Sequence, residues 1–333
     1  MEASIRPLTL SEILDRTAQL YRENFLLFAG IFSVYAGVVM VLNLLQIGVA
    51  SWLGGQHASA GIQILTGVAA LIKALLVFLF AGAAIAAINR AVAWVHLGEP
   101  ASIRKAYATT LPRLGRYLWL MTIVFFIIWA PLLVVFVLFA VAAALIPGFF
   151  GSQHNPANEP SAMAAAIGVF AILLLVPYLV YAILMALRYS LAVPASVVED
   201  LKARKAIRRS IELSKGSRGR IFMLGLLVFV IEIGLIVVSQ LFVFVIAFKH
   251  KGQVGPVAQA VSQVISFFTN TLLGPIYATG LTLFYYDQRV RNEGFDIEWM
   301  MQAAGRTVPE TSPAAPETAS TEGPEPPPIA EQP

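Results

Sequence analysis

The sequence predicts an all-α integral membrane protein with six transmembrane helices, and composition, hydropathy and run length support that prediction. Of 333 residues, 58% are apolar and 13% are charged, whereas soluble domains average about 45–50% apolar and about 25% charged residues. The mean hydropathy is +0.76. Six apolar runs reach the roughly 20 residues that a membrane-spanning helix needs, and they cover residues 25–50, 62–88, 117–146, 164–187, 221–248 and 259–286. They lack the ten-residue alternation of a membrane β-barrel.

Positive charges lie almost entirely on one side of these six runs. Of 23 Lys and Arg residues, 20 fall in segments that would share one face of the membrane, and only Lys249 and Lys251 fall on the other. Lys73 lies within a run. The positive-inside rule assigns the basic side to the cytoplasm. We therefore predict a multi-pass protein with cytoplasmic N- and C-termini.

A surface helix is predicted before the first span. Thr9 and Glu12 have the spacing of a capping box, in which each residue satisfies a backbone N–H of the other. The following residues repeat apolar side chains at helical spacing, on a face formed by Leu10, Ile13, Leu14, Thr17 and Tyr21. Such a helix is expected to lie at the membrane interface.

Two further stretches share this design. The second begins at Ser102 and is ended by Pro112, and the third covers residues 201–215. Their recurrence before the odd-numbered spans predicts three units, each an interfacial helix followed by a helical hairpin, at about 9–98, 99–198 and 199–302. The alternative is that these are ordinary basic connectors. Residues 303–333 are rich in Pro and Glu and are predicted to form a disordered cytoplasmic tail.

Two charges fall near predicted span centres. Lys73 and Glu232 would each cost about 2.5–3.5 kcal/mol if they faced lipid, so we expect them to face protein or water. Their similar depths allow a buried ion pair or a shared polar cavity. Alternatively, Lys73 extends toward the interface and Glu232 is protonated.

The sixth span carries a polar stripe. In an antiparallel hairpin with the fifth span, Glu232 would lie level with Asn270, and Gln240 would meet Gln263. The candidate intramembrane polar cluster is therefore Lys73, Glu232, Gln240, Gln263, Ser266 and Asn270. Interhelical hydrogen bonds are one interpretation, and a small-solute or lipid pathway of a transporter or channel is the other.

The segment from Arg188 to Arg220 contains nine cations and is the most basic part of the chain. This concentration of positive charge indicates contact with anionic lipid headgroups. The alternative is that the segment acts only as a topology signal. The candidate lipid contacts are Lys202, Arg204, Lys205, Arg208, Arg209, Lys215, Arg218 and Arg220. After the last span, the spacing of Asp287 with Arg291, and of Arg289 with Glu293, predicts ion pairs on a solvated helix.

Enzymatic chemistry is not expected. The sequence has no cysteine, which excludes thiolate ligands and cysteine nucleophiles. It also lacks the HExxH, Walker A and GxSxG motifs. We therefore predict no catalytic residues, no cofactor and no metal site. The bilayer is the expected partner, and nucleic acid is not.

Three motifs resemble a known bacterial family. Residues 6–16 with Leu20-Tyr21-Arg22, residues 206–220, and residues 285–296 are similar to the membrane domain found beside glycerophosphoryl diester phosphodiesterases. The resemblance covers roughly residues 6–300 and implies a stand-alone membrane part without the catalytic domain. It implies a protein of the bacterial plasma (inner) membrane with a structural, lipid-interacting or accessory role.

Overall fold

The computed structural model describes residues 8–53, 60–145, 162–249 and 255–294, and every regular element within these ranges is helical. Six of the helices are long and apolar enough to cross a membrane, so the predicted all-α membrane class is confirmed. The tail predicted at 303–333 lies outside the described residues. The helices are α1 (Leu10–Glu23), α2 (Phe25–Leu53), α3 (Ala60–His96), α4 (Ile103–Thr110), α5 (Leu114–Leu145), α6 (Ala162–Tyr189), α7 (Ala192–Val198), α8 (Ala203–Ser214), α9 (Arg218–Lys249) and α10 (Pro256–Glu293).

The helix α1 begins at the predicted capping box. The backbone N–H of Glu12 donates to Thr9 Oγ1 at 3.3 Å, and the backbone N–H of Thr9 donates to Glu12 Oε2 at 2.7 Å. Ile13, Thr17 and Leu20 form its buried face, and α1 packs mainly on α10. This face is therefore covered by protein.

The helix α4 follows the predicted boundaries closely. Ser102 caps its first turn by accepting the backbone N–H of Lys105 at 3.3 Å. A 3₁₀ turn containing Pro112 separates α4 from α5, because the proline ring lacks the N–H that a continuous helix needs there. The Tyr107 hydroxyl donates to the Ile31 carbonyl at 2.7 Å and ties α4 to α2.

The helix α7 was not predicted from the sequence. This seven-residue helix lies inside the segment 188–220, and five of its residues are buried. It packs against α3 and α8. Its sequence has neither charges nor enough length to show helical periodicity, so only the surrounding protein reveals it.

The last helix occupies the centre of the bundle. Its contact with α2 is more extensive than its contact with α9, the neighbouring helix in sequence. Phe32 lies against Gly274, and Asn43 bonds to Gln263, so α2 and α10 run antiparallel. Most residues of α10 between Thr271 and Val290 are buried.

The core is concentrated at one end of the bundle, which we call the basic end. There α1, α4, α7 and α8 pack around the ends of α2, α3, α9 and α10. At the opposite end, which we call the distal end, the long helices are more exposed. Among the described side chains of α5, only Tyr117 and Leu120 are buried. Residues 173–189 of α6 include no buried side chain. Lipid would cover these apolar surfaces.

The contact between Gly274 and Phe32 yields a stability prediction. A Cβ at position 274 would lie 2.2 Å from a ring carbon of Phe32, which is itself 7% exposed. We expect Gly274→Ala to lower the free energy of unfolding by about 1–3 kcal/mol through overpacking, measured by thermal or denaturant unfolding in detergent.

Gly234→Ala is the matched control, because a Cβ at this helical position meets nothing within 4 Å. Alanine favours helix over glycine by about 0.5–1 kcal/mol, so this variant should be as stable as the original protein or more so. Equal stability of the two variants would contradict close packing of α10 on α2.

Candidate functional site

A buried carboxylate organises the basic end. The Asp287 side chain is fully buried. It accepts the backbone N–H of Leu8 at 2.7 Å and the Arg291 Nε–H at 3.0 Å, and the Arg220 guanidinium lies 3.2 Å away. The predicted pairing of Asp287 with Arg291 is present. The expectation of a solvated helix is wrong for Asp287, which is buried, whereas Arg291 and Glu293 are exposed. The surrounding α1 and α9 exclude water from this carboxylate.

The same two arginines hold the segment that precedes α1. Arg220 donates to the Leu8 carbonyl at 2.8 Å, and Arg291 donates to it at 2.5 Å. Both polar backbone groups of Leu8 are therefore satisfied by α9 and α10 side chains. This arrangement joins the two ends of the described chain.

A second ionic group surrounds Glu199, at the end of α7. Arg209 donates to Glu199 at 2.9 Å and to Glu293 at 2.6 Å, and Arg289 Nε lies 3.7 Å from Glu199. The Tyr285 hydroxyl also donates to Glu199. Burial opposes the charge on Arg209, but hydrogen bonds to Glu293 and Glu199 raise the pKa of its guanidinium above the ordinary value.

Asp200 forms a third ionic group between α7 and α8. Its backbone adopts a left-handed conformation, φ 58°, which Asp tolerates better than most residues. Arg113 donates to its carboxylate at 2.5 Å, and Arg116 donates to both the carboxylate and the Asp200 carbonyl, the latter at 2.9 Å. The hydrogen bond from Arg116 holds the pKa of the Asp200 carboxyl below its usual range, so it stays ionised.

The predicted lipid-contacting cations fall into two groups. Arg209 and Arg220 are half-buried and are engaged in the ion pairs described above. Arg218 is also half-buried. The other five cations are exposed, and within the described residues their side chains make no hydrogen bond or ion pair. These five are Lys202, Arg204, Lys205, Arg208 and Lys215. We call these five the α8 cations.

The α8 cations are positioned by the small side chains on the opposite face of α8. Ala203, Ala206 and Ser210 are buried against the bundle, and the Ser210 hydroxyl donates to the Arg188 carbonyl at 2.9 Å. Because small residues allow close packing on one face, the long basic side chains are directed away from the protein.

The structure does not assemble the predicted intramembrane cluster at one place. Lys73 Nζ donates to Gln46 Oε1 on α2 at 2.5 Å, and no ion pair joins Lys73 to Glu232 among the described residues. Glu232 lies within electrostatic reach of Tyr277. Similar depth in the membrane therefore does not bring Lys73 on α3 and Glu232 on α9 together as an ion pair.

The remaining members of the cluster also have other neighbours. Gln263 Oε1 accepts from Asn43 Nδ2 on α2 at 2.8 Å, where the sequence suggested Gln240. Gln240 is exposed. Asn270 is exposed as well and donates to the Ser266 carbonyl of its own helix at 2.8 Å.

A polar pocket occurs near the distal end, between α2 and α10. Its volume is about 290 Å³, and its lining is Asn43, Gln46, Ile47, Ala50, Gln259, Ser262 and Gln263. We call it the α2–α10 pocket. Gln263 was predicted from the sequence as part of a polar cluster, but the residues of α2 that line the pocket were not. The two amides three residues apart in an apolar helix, Asn43 and Gln46, were the available signal.

Within the described ranges, no group of three His, Asp or Glu side chains is close enough to hold a metal ion.

Comparison with known proteins identifies a family. A family model described as "Domain of unknown function (DUF7847)" matches residues 8–288. This chain belongs to the DUF7847 family. The match extends from Leu8 to the residue after Asp287, so it includes α1 to α9 and all but the last five residues of α10. No curated protein and no solved structure matches the chain.

The buried carboxylate leads to a second stability prediction. Asp287→Asn keeps the side-chain shape but removes the charge opposite Arg220 and Arg291. Breaking a buried ionic contact on one side costs about 3–5 kcal/mol, so we expect a large fall in melting temperature in detergent.

Glu212→Gln provides the comparison, since Glu212 is exposed on α8 and exposed substitutions change stability by about 0.5 kcal/mol or less. Similar melting temperatures for the two variants would show that Asp287 does not hold the basic end together.

Proposed function

We propose that this protein is a multi-pass component of a bacterial plasma membrane that contacts anionic headgroups of the cytoplasmic leaflet through the α8 cations. The observation that carries the proposal is the contrast within α8. Arg209 is neutralised by Glu199 and Glu293, whereas Lys205 and Arg208 are exposed and lack a carboxylate partner among the described residues. Charges without internal partners remain available for an external anion.

The location of these cations supports the same interpretation. The helix α8 packs against α5, α6 and α10 at the basic end, where the positive-inside rule predicts the cytoplasmic surface. A cation at such a surface contributes about 1 kcal/mol to attraction by anionic lipid. Several α8 cations together would give a preference for anionic over neutral membranes.

The proposed role is structural or accessory and includes no catalytic step. The resemblance of residues 206–220 to the membrane domain that accompanies glycerophosphoryl diester phosphodiesterases supports a membrane-surface role for this segment. It adds no phosphodiesterase activity to the proposal.

The test compares lipid-dependent stability. The full-length protein is placed in nanodiscs of phosphatidylcholine alone, or of phosphatidylcholine mixed with phosphatidylglycerol, and its melting temperature is measured. We expect phosphatidylglycerol to stabilise the protein. Lys205→Gln/Arg208→Gln should remove up to about 2 kcal/mol of that gain, at roughly 1 kcal/mol per cation. Raised salt should reduce the gain by screening.

Lys205→Arg/Arg208→Lys is the matched control. It keeps both positive charges at the same exposed positions of α8 and should retain the gain. If phosphatidylglycerol fails to stabilise the original protein, or if the control loses as much as Lys205→Gln/Arg208→Gln, the role of the α8 charges is refuted.

A further inference from the structure

The α2–α10 pocket lies beside a charge that the described protein does not neutralise. Lys73 Nζ reaches the pocket-lining Gln46 and bonds to its amide oxygen at 2.5 Å. None of the ion pairs in the described ranges includes Lys73. Its neighbours on α3 include the exposed apolar side chains of Leu71, Ile72 and Leu75. A cation in such surroundings is costly, and a bound anion would remove much of that cost.

The hydrogen bonds made by Gln46 and Gln263 leave donors of both side chains available to a ligand. Gln46 Oε1 accepts from Lys73, which leaves the Gln46 amide N–H groups and two ammonium N–H groups. Gln263 Oε1 accepts from Asn43, which leaves the Gln263 amide N–H groups. Ser262 adds a hydroxyl to the lining. Donors grouped around a positive charge favour an anionic oxygen ligand.

The position of the pocket indicates which anion is available. Ala50 lies three residues from the end of α2, and Gln259 lies three residues from the start of α10. At about 1.5 Å per residue, both lie within one helical turn of the distal end of the bundle. Gln46 and Gln263 each lie seven residues from the same helix ends, or about 10 Å into the bundle, and the Lys73 side chain reaches Gln46 there. Lipid phosphates and aqueous phosphate both occur at the level of the distal end, from which the pocket extends inward.

We propose that the α2–α10 pocket is a phosphate-binding site in which Lys73 supplies the charge and Gln46, Ser262 and Gln263 donate hydrogen bonds. The volume of about 290 Å³ accommodates one phosphate group with a small substituent. The ligand is either a free phosphate or the phosphodiester of a lipid headgroup. This site is separate from the α8 cations, which lie at the opposite end of the bundle.

The first experiment measures binding of radiolabelled inorganic phosphate to the full-length protein in a phosphate-free neutral detergent, at constant ionic strength. We expect saturable binding. Lys73→Met should weaken it by at least about tenfold, equivalent to about 1.4 kcal/mol, and Lys73→Arg should restore most of it because the charge returns.

Two further variants separate the pocket from other effects. Lys205→Gln removes one of the α8 cations and should leave the phosphate affinity within about twofold of that of the original protein. The proposal for the α2–α10 pocket can therefore be judged independently of the proposal for the α8 cations. Gln263→Glu keeps the acceptor for Asn43 but adds a negative charge, and it should abolish binding while preserving the melting temperature. Gln263→Glu therefore tests the phosphate site even if Lys73→Met does not fold.

The source of the phosphate is distinguished in nanodiscs. In a phosphate-free glycolipid bilayer, we expect Lys73-dependent binding of radiolabelled phosphate whether the natural ligand is free phosphate or a lipid headgroup. Adding phosphatidylglycerol should displace the probe if a headgroup is the natural ligand and should leave it bound if free phosphate is. Absence of saturable binding, or equal binding by the original protein, Lys73→Met and Gln263→Glu, would overturn the proposal.

Discussion

The neutralisation of Asp287 is the interaction on which the architecture depends. A carboxylate with no exposed surface needs compensating charge and hydrogen bonds, and here they come from Arg220, Arg291 and the backbone N–H of Leu8. These partners belong to α9, to α10 and to the segment before α1. Satisfying one buried charge therefore requires the first and last described segments to meet. The nearby group around Glu199 connects α7, α8 and α10 in a similar way.

Packing is uneven along the bundle. The residues buried around Phe28, Ile88 and Phe284 all lie toward the basic end. Beyond them, the described parts of α5 and α6 present apolar side chains outward. In a bilayer, such exposure carries no hydrophobic penalty, because lipid chains are as apolar as the side chains. Polar contacts near the distal end, such as Asn43 with Gln263, then provide specific alignment of α2 and α10.

Local features of the sequence predicted local structure well. The capping box at Thr9 and the break at Pro112 depend on neighbouring residues, and both occur as expected. The long-range partners of polar residues could not be predicted in this way. The sequence indicated that Lys73 and Gln263 avoid lipid, but it contained no information on which helix each would face. Because α2 packs against both α3 and α10, both residues found partners on α2.

The basic segment shows the same distinction between residue type and environment. Arg209 and Lys205 look equivalent in sequence, yet one is held by two carboxylates and the other is exposed. The difference arises because one face of α8 approaches Glu199 and Glu293. Neither carboxylate lies within α8, so the local pattern could not separate structural cations from available ones.

The contact between Leu8 and Asp287 spans 279 positions of the chain, which has a consequence for biosynthesis. At about 5–20 residues per second, a ribosome needs roughly 15–55 s to translate that interval. During this time α2 is already made but lacks its principal neighbour, and the Leu8 backbone lacks the carboxylate that fixes it. Assembly of the basic end must therefore follow translation of α10. Nascent chains that stop earlier would expose the unfilled surface of α2 and become targets for membrane quality-control proteases.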